Sequence, residues 1–236
     1  MRAVICDVYR TILDVREAPI DAEERWRSLF GEAFGRPPTL SLEELVARCR
    51  GIVLENHSEA RGRGIPYPEV NWPSVMKRAL PALDALPQVE LDAFIFRHAQ
   101  LSRTLKIMPG CAAMLRECAR RQILLGIASN AQAYTLSELQ LALNQVGLDS
   151  AIFQSDLTFW SFEHGFSKPD PHVFQILRAR LQNRHIEDLE TLMIGDRDDN
   201  DLSPAQTTGW RTWHLSDIAN GSDGGDWTSL ARSLFE

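Results

Sequence analysis

Residues 3–6, Ala-Val-Ile-Cys, form an unbroken apolar run that stops at Asp7. A strand without polar alternation is buried on both faces, as in parallel sheets covered by helices. In open α/β sheets, ligands bind beyond the carboxyl ends of the strands, so a lone carboxylate at such an end, followed by a turn and Thr11, is placed for chemistry. Taken alone, Asp7 could equally cap the next turn.

The same pattern returns three times. Ile123–Ala128 is a second apolar run and ends in Ser129-Asn130, and Thr191–Ile194 is another, ending in Gly195-Asp196-Arg197-Asp198-Asp199-Asn200-Asp201. Between them, Gly165-Phe166-Ser167-Lys168-Pro169-Asp170-Pro171 puts a lysine on a loop before a helix. Ala151–Phe153 reads as a further short strand and Arg211–Leu215 as a late one after the Gly209 turn. Helical spacing covers Thr135–Val146, closed by Gly147, and Pro171–Leu181, while Pro109 marks another helix start. Strands alternating with helices imply right-handed crossovers and a parallel sheet. Asn220–Gly225 reads as a flexible loop before a closing helix.

After Leu13 the texture is helical for roughly ninety residues. Asp21–Phe34 carries Trp26, Leu29, Phe30 and Phe34; Ser41 with Glu44 three residues later is a capping-box signature. Leu42, Leu45, Val46, Cys49, Ile52 and Val53 follow helical spacing and predict one buried face. Gly62–Pro68 breaks that helix, Pro81 and Pro87 bracket a short segment, and a last helix starts near Leu91.

In this order, an Asp, a Ser, a Lys and an acidic cluster resemble the four signature motifs of the haloacid dehalogenase (HAD) superfamily. The resemblance implies an α/β fold: a Rossmann-like parallel sheet core from residues 1–14 and 105–236 with an inserted all-helical cap from 15–104. It implies Asp7 as nucleophile, with Thr11, Ser129 and Lys168 as its catalytic partners. Tyr9, Arg10, Ser129 and Asn130 would face the substrate. Asp7, the Tyr9 carbonyl and Asp196, supported by Asp201, would hold Mg²⁺.

Two carboxylates ~4 Å apart repel by about 4 kcal/mol at an effective dielectric of ~20, so the acidic cluster calls for a cation if Asp196 faces Asp7, and reads as a solvated acidic loop if it does not. Asp196-x-Asp198-x-Asn200 opens like a calcium loop, but the sixth position is Asp201 where glycine is required and the twelfth is Thr207 where glutamate is required. Position 9 points the other way. Phosphatases of the superfamily carry Asp-x-Asp, whose second carboxylate protonates the leaving group; here it is Tyr9, as in the 2-haloacid dehalogenases, and Arg10 replaces the usual Gly. The fourth motif remains phosphatase-like, and no dehalogenase-type substrate arginine is recognisable in 48–59. Substitute acids to weigh are His57, Glu69, His98 and Glu163-His164, each of which also reads as a surface or core residue.

The expectation is therefore a Mg²⁺-dependent phosphohydrolase of a small metabolite. A metal-independent dehalogenase and a non-catalytic binding module are the alternatives. With 32 acidic against 25 basic residues the net charge is −7, which argues against nucleic acid or anionic lipid as partners. The four cysteines lack CxxC spacing and read as buried thiols. No targeting segment or membrane-length apolar run is visible, so a cytoplasmic location is expected. Serine-hydrolase elbow, Walker loop, dinucleotide fingerprint and zinc spacing are all missing.

Overall fold

The computed structural model describes residues 1–216 and 224–236. β1 (Ala3–Cys6), β4 (Leu124–Ser129), β5 (Thr158–Trp160), β6 (Thr191–Gly195), β7 (Arg211–Leu215) and β8 (Gly224–Gly225) form one sheet in the order β5-β4-β1-β6-β7-β8, parallel throughout. Two further strands, β2 (Leu13–Arg16) and β3 (Thr104–Ile107), pair as an antiparallel ribbon.

Period-two alternation divides each strand between two cores. Val4, Cys6, Leu125, Ile127, Leu192 and Ile194 pack on one face with Met114, Leu115, Leu139, Leu143 and Leu230. These come from α5 (Cys111–Arg120), α6 (Tyr134–Gln145) and α10 (Trp227–Phe235). Ala3, Ile5, Ala128 and Met193 face the other way. They meet Phe174 and Leu177 of α8 (Pro171–Asn183) and Ala205 of α9 (Ser203–Thr207). A short helix, α7 (Ser161–His164), follows β5. This double cover explains why the strands read as continuous apolar runs.

Between β2 and β3 lie α1 (Ala22–Phe34), α2 (Leu42–Gly62), α3 (Trp72–Ala79) and α4 (Gln88–Ala99). They share a separate core around Trp26, Phe30, Leu45, Met76, Leu83, Leu91 and Phe94. Both hydrogen bonds of the Ser41–Glu44 capping box form.

Several local expectations are corrected. Ala151–Phe153 is not a strand: the Asp149 carboxylate accepts from Ala151 N–H at 2.8 Å and closes a 3₁₀ turn over Ser150–Ile152, and the edge strand comes at Thr158–Trp160. The helix placed at Pro109 starts two residues later, after Gly110 takes a φ of 80°. On α2 only Leu45 and Cys49 are buried; Val46 is exposed. The loop read at Asn220–Gly225 lies outside the described residues over 220–223, and Gly224–Gly225 pair with β7. All four cysteines are free and buried. Among the described residues no helix is long and apolar enough to cross a membrane.

Candidate active site

Register brings the motifs together. Cys6 is level with Ile127 on one side and Ile194 on the other. Asp7, Ser129 and Asp196 therefore leave three adjacent strands within a residue or so of the same height. Asp7 N–H is held by the Ile194 carbonyl at 2.9 Å.

Lys168 reaches this rim from the loop after α7. Its ammonium group donates to Asp7 Oδ1 at 2.7 Å and to Asp201 Oδ1, with lysine and both carboxylates almost completely buried. Asn130 fixes the loop: its Oδ1 accepts from Lys168 N–H at 2.7 Å and its Nδ2 donates to the Lys168 carbonyl at 2.9 Å. The Asn130 side chain thus positions lysine, and only its backbone amide is left for a ligand. Thr11 Oγ1 is 3.4 Å from Asp7 Oδ2. Ser129 is fully buried and its hydroxyl has no partner among the described residues.

The acidic run divides in two. Asp198 accepts from Ser203 and Asp199 pairs with Arg197, both at the surface. Asp201 turns inward, where Arg197 N–H donates to its Oδ2 at 3.2 Å. It packs on Gly195, where a Cβ would lie 2.5 Å from the carboxylate, so a side chain at 195 would displace it. Asp7, Asp196 and Asp201 offer oxygens within 4.8 Å of one another.

Electrostatics follow from this crowding. Burial pushes the Asp7 carboxyl up to about 6; Lys168 opposes the shift and Asp201 adds to it. Burial and then Asp201 raise Asp196, with Arg10 and Lys168 pulling back. Burial alone would lower Lys168, but Asp7 and Asp201 hold it above its ordinary value and keep it charged.

The residues fit a divalent cation. Three carboxylates lie within 4.8 Å of one another but Lys168 pairs with only Asp7 and Asp201, the Asp196 carboxylate has no paired cation among the described residues, and the Tyr9 carbonyl accepts no hydrogen bond among them. Hard oxygen donors and a surplus of negative charge suit Mg²⁺.

Tyr9 turns away from this carboxylate group. Its hydroxyl is 2.5 Å from Glu138 Oε2 and 2.7 Å from Thr135 Oγ1, and accepts from Arg103 at 3.0 Å. Arg103 also pairs with the fully buried Glu138 carboxylate at 2.9 Å and stacks 4.6 Å from the Tyr9 ring centre. Gln100 donates to Glu138 at 2.7 Å. Burial holds the phenol pKa well above its ordinary value. Arg10 is exposed with φ 59°, the left-handed conformation that makes glycine the usual residue in such turns.

None of the substitute acids bonds to Asp7. Glu69 accepts from Ser161 at 2.5 Å and from Gln132 at 2.8 Å, a strut between the helical insertion and the sheet side. His98 is buried, pushed down to about 4 by burial. The His57 Nε2 has no partner among the described residues, Glu163 is exposed, and His164 stacks on Phe159 at 4.2 Å.

Glu138, Arg103 and His214, whose Nε2 donates to the Asp196 carbonyl at 3.0 Å, escape sequence reasoning. A signal existed for Glu138: it shares the helical face of Thr135, Leu139, Ala142 and Leu143, a lone acid among buried positions.

A parallel sheet with an aspartate, a lysine and two further carboxylates gathered at its strand ends defines a protein of the Rossmann-like α/β class. A family model described as haloacid dehalogenase-like hydrolase matches residues 1–209, and the chain belongs to this family. No curated protein matches the chain. Among solved structures, a 2-haloacid dehalogenase from Pseudomonas syringae pv. Tomato is 20% identical, covering 99% of this chain and 98% of that one, with a TM-score of 0.64. The HAD-hydrolase YfnB from Bacillus subtilis, solved bound to magnesium, is 21% identical over 100% and 99% of the two chains, TM-score 0.55. A HAD phosphatase from Thermococcus onnurineus is 19% identical over 100% and 98%, TM-score 0.54. At such identities the likeness establishes the fold.

Proposed function

We propose that the protein is a Mg²⁺-dependent phosphohydrolase of a small phosphorylated metabolite, acting through an aspartyl-phosphate at Asp7. The observation that carries this reading is the carboxylate surplus: Asp7, Asp196 and Asp201 converge, and the one lysine among them pairs with only Asp7 and Asp201. Asp7, Asp196, Asp201 and the Tyr9 carbonyl would hold the ion, which would supply neutralisation of charge on the phosphoryl oxygens.

Lys168 occupies Asp7 Oδ1, whereas Oδ2 has only a 3.4 Å contact with Thr11. Oδ2 is then the attacking atom: it bonds to phosphorus while the ester P–O bond breaks, and water later releases phosphate from the acyl-phosphate. The orphaned Ser129 hydroxyl and the Asn130 amide supply donors for phosphoryl oxygens, and Arg10 lies at the entrance. The helical insertion acts as a cap that excludes water. A cytoplasmic location and a small-molecule partner belong to the same reading.

Tyr9 gives no proton to a leaving group, because its hydroxyl serves Glu138. A missing general acid typically costs 10²–10⁴-fold in rate, least where the departing group is a weak base. Acyl, enol and aryl phosphates are therefore the expected substrate class. The test is phosphate release across esters of graded leaving-group pKa. A steep fall with rising pKa is expected; a flat response would mean that an acid is present. The second reading, a metal-independent dehalogenase, draws on Tyr9 at position 9 and on halide needing no proton.

A further inference from the structure

The segment that follows α2 is exposed over 61–67 and turns inward at 68–70, where Val70 joins the core of the helical insertion. Its backbone, however, pairs with the loop that carries Lys168. Pro68 forms an antiparallel bridge with Phe166, Glu69 N–H donates to the Gly165 carbonyl at 3.0 Å, and Ser167 N–H donates to the Tyr67 carbonyl at 2.9 Å. The last of these bonds falls one residue before the lysine.

The Glu69 side chain extends the link to a second loop. Its Oε2 accepts from Ser161 Oγ at 2.5 Å, just after β5, and its Oε1 accepts from Gln132 Nε2 at 2.8 Å, in the loop that leaves β4. The Ser161 hydroxyl in turn accepts from Ala131 N–H at 2.8 Å. One half-buried carboxylate therefore joins the two loops that bring Asn130 and Lys168 to Asp7. Hydrogen bonds to an ionised acceptor are roughly twice as strong as neutral ones. A loop holds a reacting group within about 0.5 Å only when its neighbours lock it. Asn130 locks the Lys168 backbone from one side, and the 67–69 segment locks the approach to it from the other.

We propose that Glu69 is a positioning residue, which makes the seating of the helical insertion and the placement of the Lys168 ammonium group beside Asp7 a single event. Lifting the insertion takes from the lysine loop two backbone hydrogen bonds and the carboxylate that ties it to the β4 loop. The assignment rests on Lys168 serving Asp7, and not on which bond Asp7 cleaves.

The test reads the lysine itself, so its outcome is separate from whether any ester is hydrolysed. The chain has three lysines, and exposed Lys106 and half-buried Lys77 are internal references for acylation of the full chain by sulfosuccinimidyl acetate, followed by peptide mass spectrometry. Lys168 is expected to be protected in the wild type. Glu69→Ala should raise its labelling at least about tenfold against both references, and Ser161→Ala, which removes one arm of the link, severalfold. Glu69→Gln keeps an acceptor and should return most of the protection. Urea below the unfolding transition should leave the raised rate unchanged, because the opening is local. Lys168 that stays protected in both Glu69→Ala and Ser161→Ala would overturn the assignment. So would labelling that climbs with urea as steeply as global unfolding, or a glutamine variant labelled as fast as the alanine one, since either would make Glu69 a prop of the fold alone.

Discussion

The hydroxyl of Tyr9 sits 2.5 Å from the buried carboxylate of Glu138, so the residue standing where phosphatases of the family carry their acid is committed to the protein interior. Tyr9→Phe removes a hydrogen-bonding member of a network and not a proton donor to substrate. It should lower stability by about 1–3 kcal/mol while changing kcat less than about tenfold. Glu138→Leu leaves the Arg103 guanidinium without its partner and should cost about 3–5 kcal/mol. Urea denaturation alongside steady-state kinetics measures both.

Lys168 divides its ammonium group between Asp7 and Asp201. Lys168→Met leaves two buried carboxylates facing each other, with an expected loss of about 3–5 kcal/mol in stability and at least ~10²-fold in kcat. Adding Asp201→Asn should restore part of the stability and none of the activity. Recovery of both in the double variant would show that lysine serves the fold alone.

Gly195 has no room for a Cβ beneath Asp201. Gly195→Ala should push that carboxylate out of the cleft, weaken Mg²⁺ binding about tenfold or more, and lower stability by about 1–3 kcal/mol. Metal titration followed by calorimetry reads the first effect and thermal unfolding the second.

His98 is depressed from 6.5 to about 4 by burial. Between those values the unfolded chain binds a proton that the folded chain does not. The folded state is therefore unpenalised above pH 6.5 and loses on the order of 3 kcal/mol as pH falls through 4. His98→Phe should flatten the dependence of unfolding free energy on pH between 4.5 and 6.5; an unchanged slope would assign it to other groups.

What the sequence discloses divides along a physical line. β1, β4 and β6 are legible because burial on both faces leaves an unmistakable apolar run, and the order of motifs after them names the family; β7 is placed by the Gly209 turn before it. β5 is misread because three residues, Thr158–Trp160, carry little periodicity, while Ala151–Phe153 is apolar yet folded by the Asp149 side chain. The β2–β3 ribbon joins residues about ninety positions apart, and nothing local in Leu13–Arg16 announces its partner. The same holds for Arg103 and Glu138, whose pairing exists only once α6 is laid against the linker that follows α4. The hold of the Asn130 side chain on the Lys168 backbone likewise has no local signal, since it joins residues 38 positions apart.

Phosphate and halide release, measured side by side on panels of phosphate esters and 2-haloacids with Mg²⁺ and with excess chelator, bears most directly on the proposed chemistry. Phosphate release that requires Mg²⁺ and vanishes in Asp7→Asn is the expected result. Halide release that survives the chelator, with no phosphate from any ester, would contradict it.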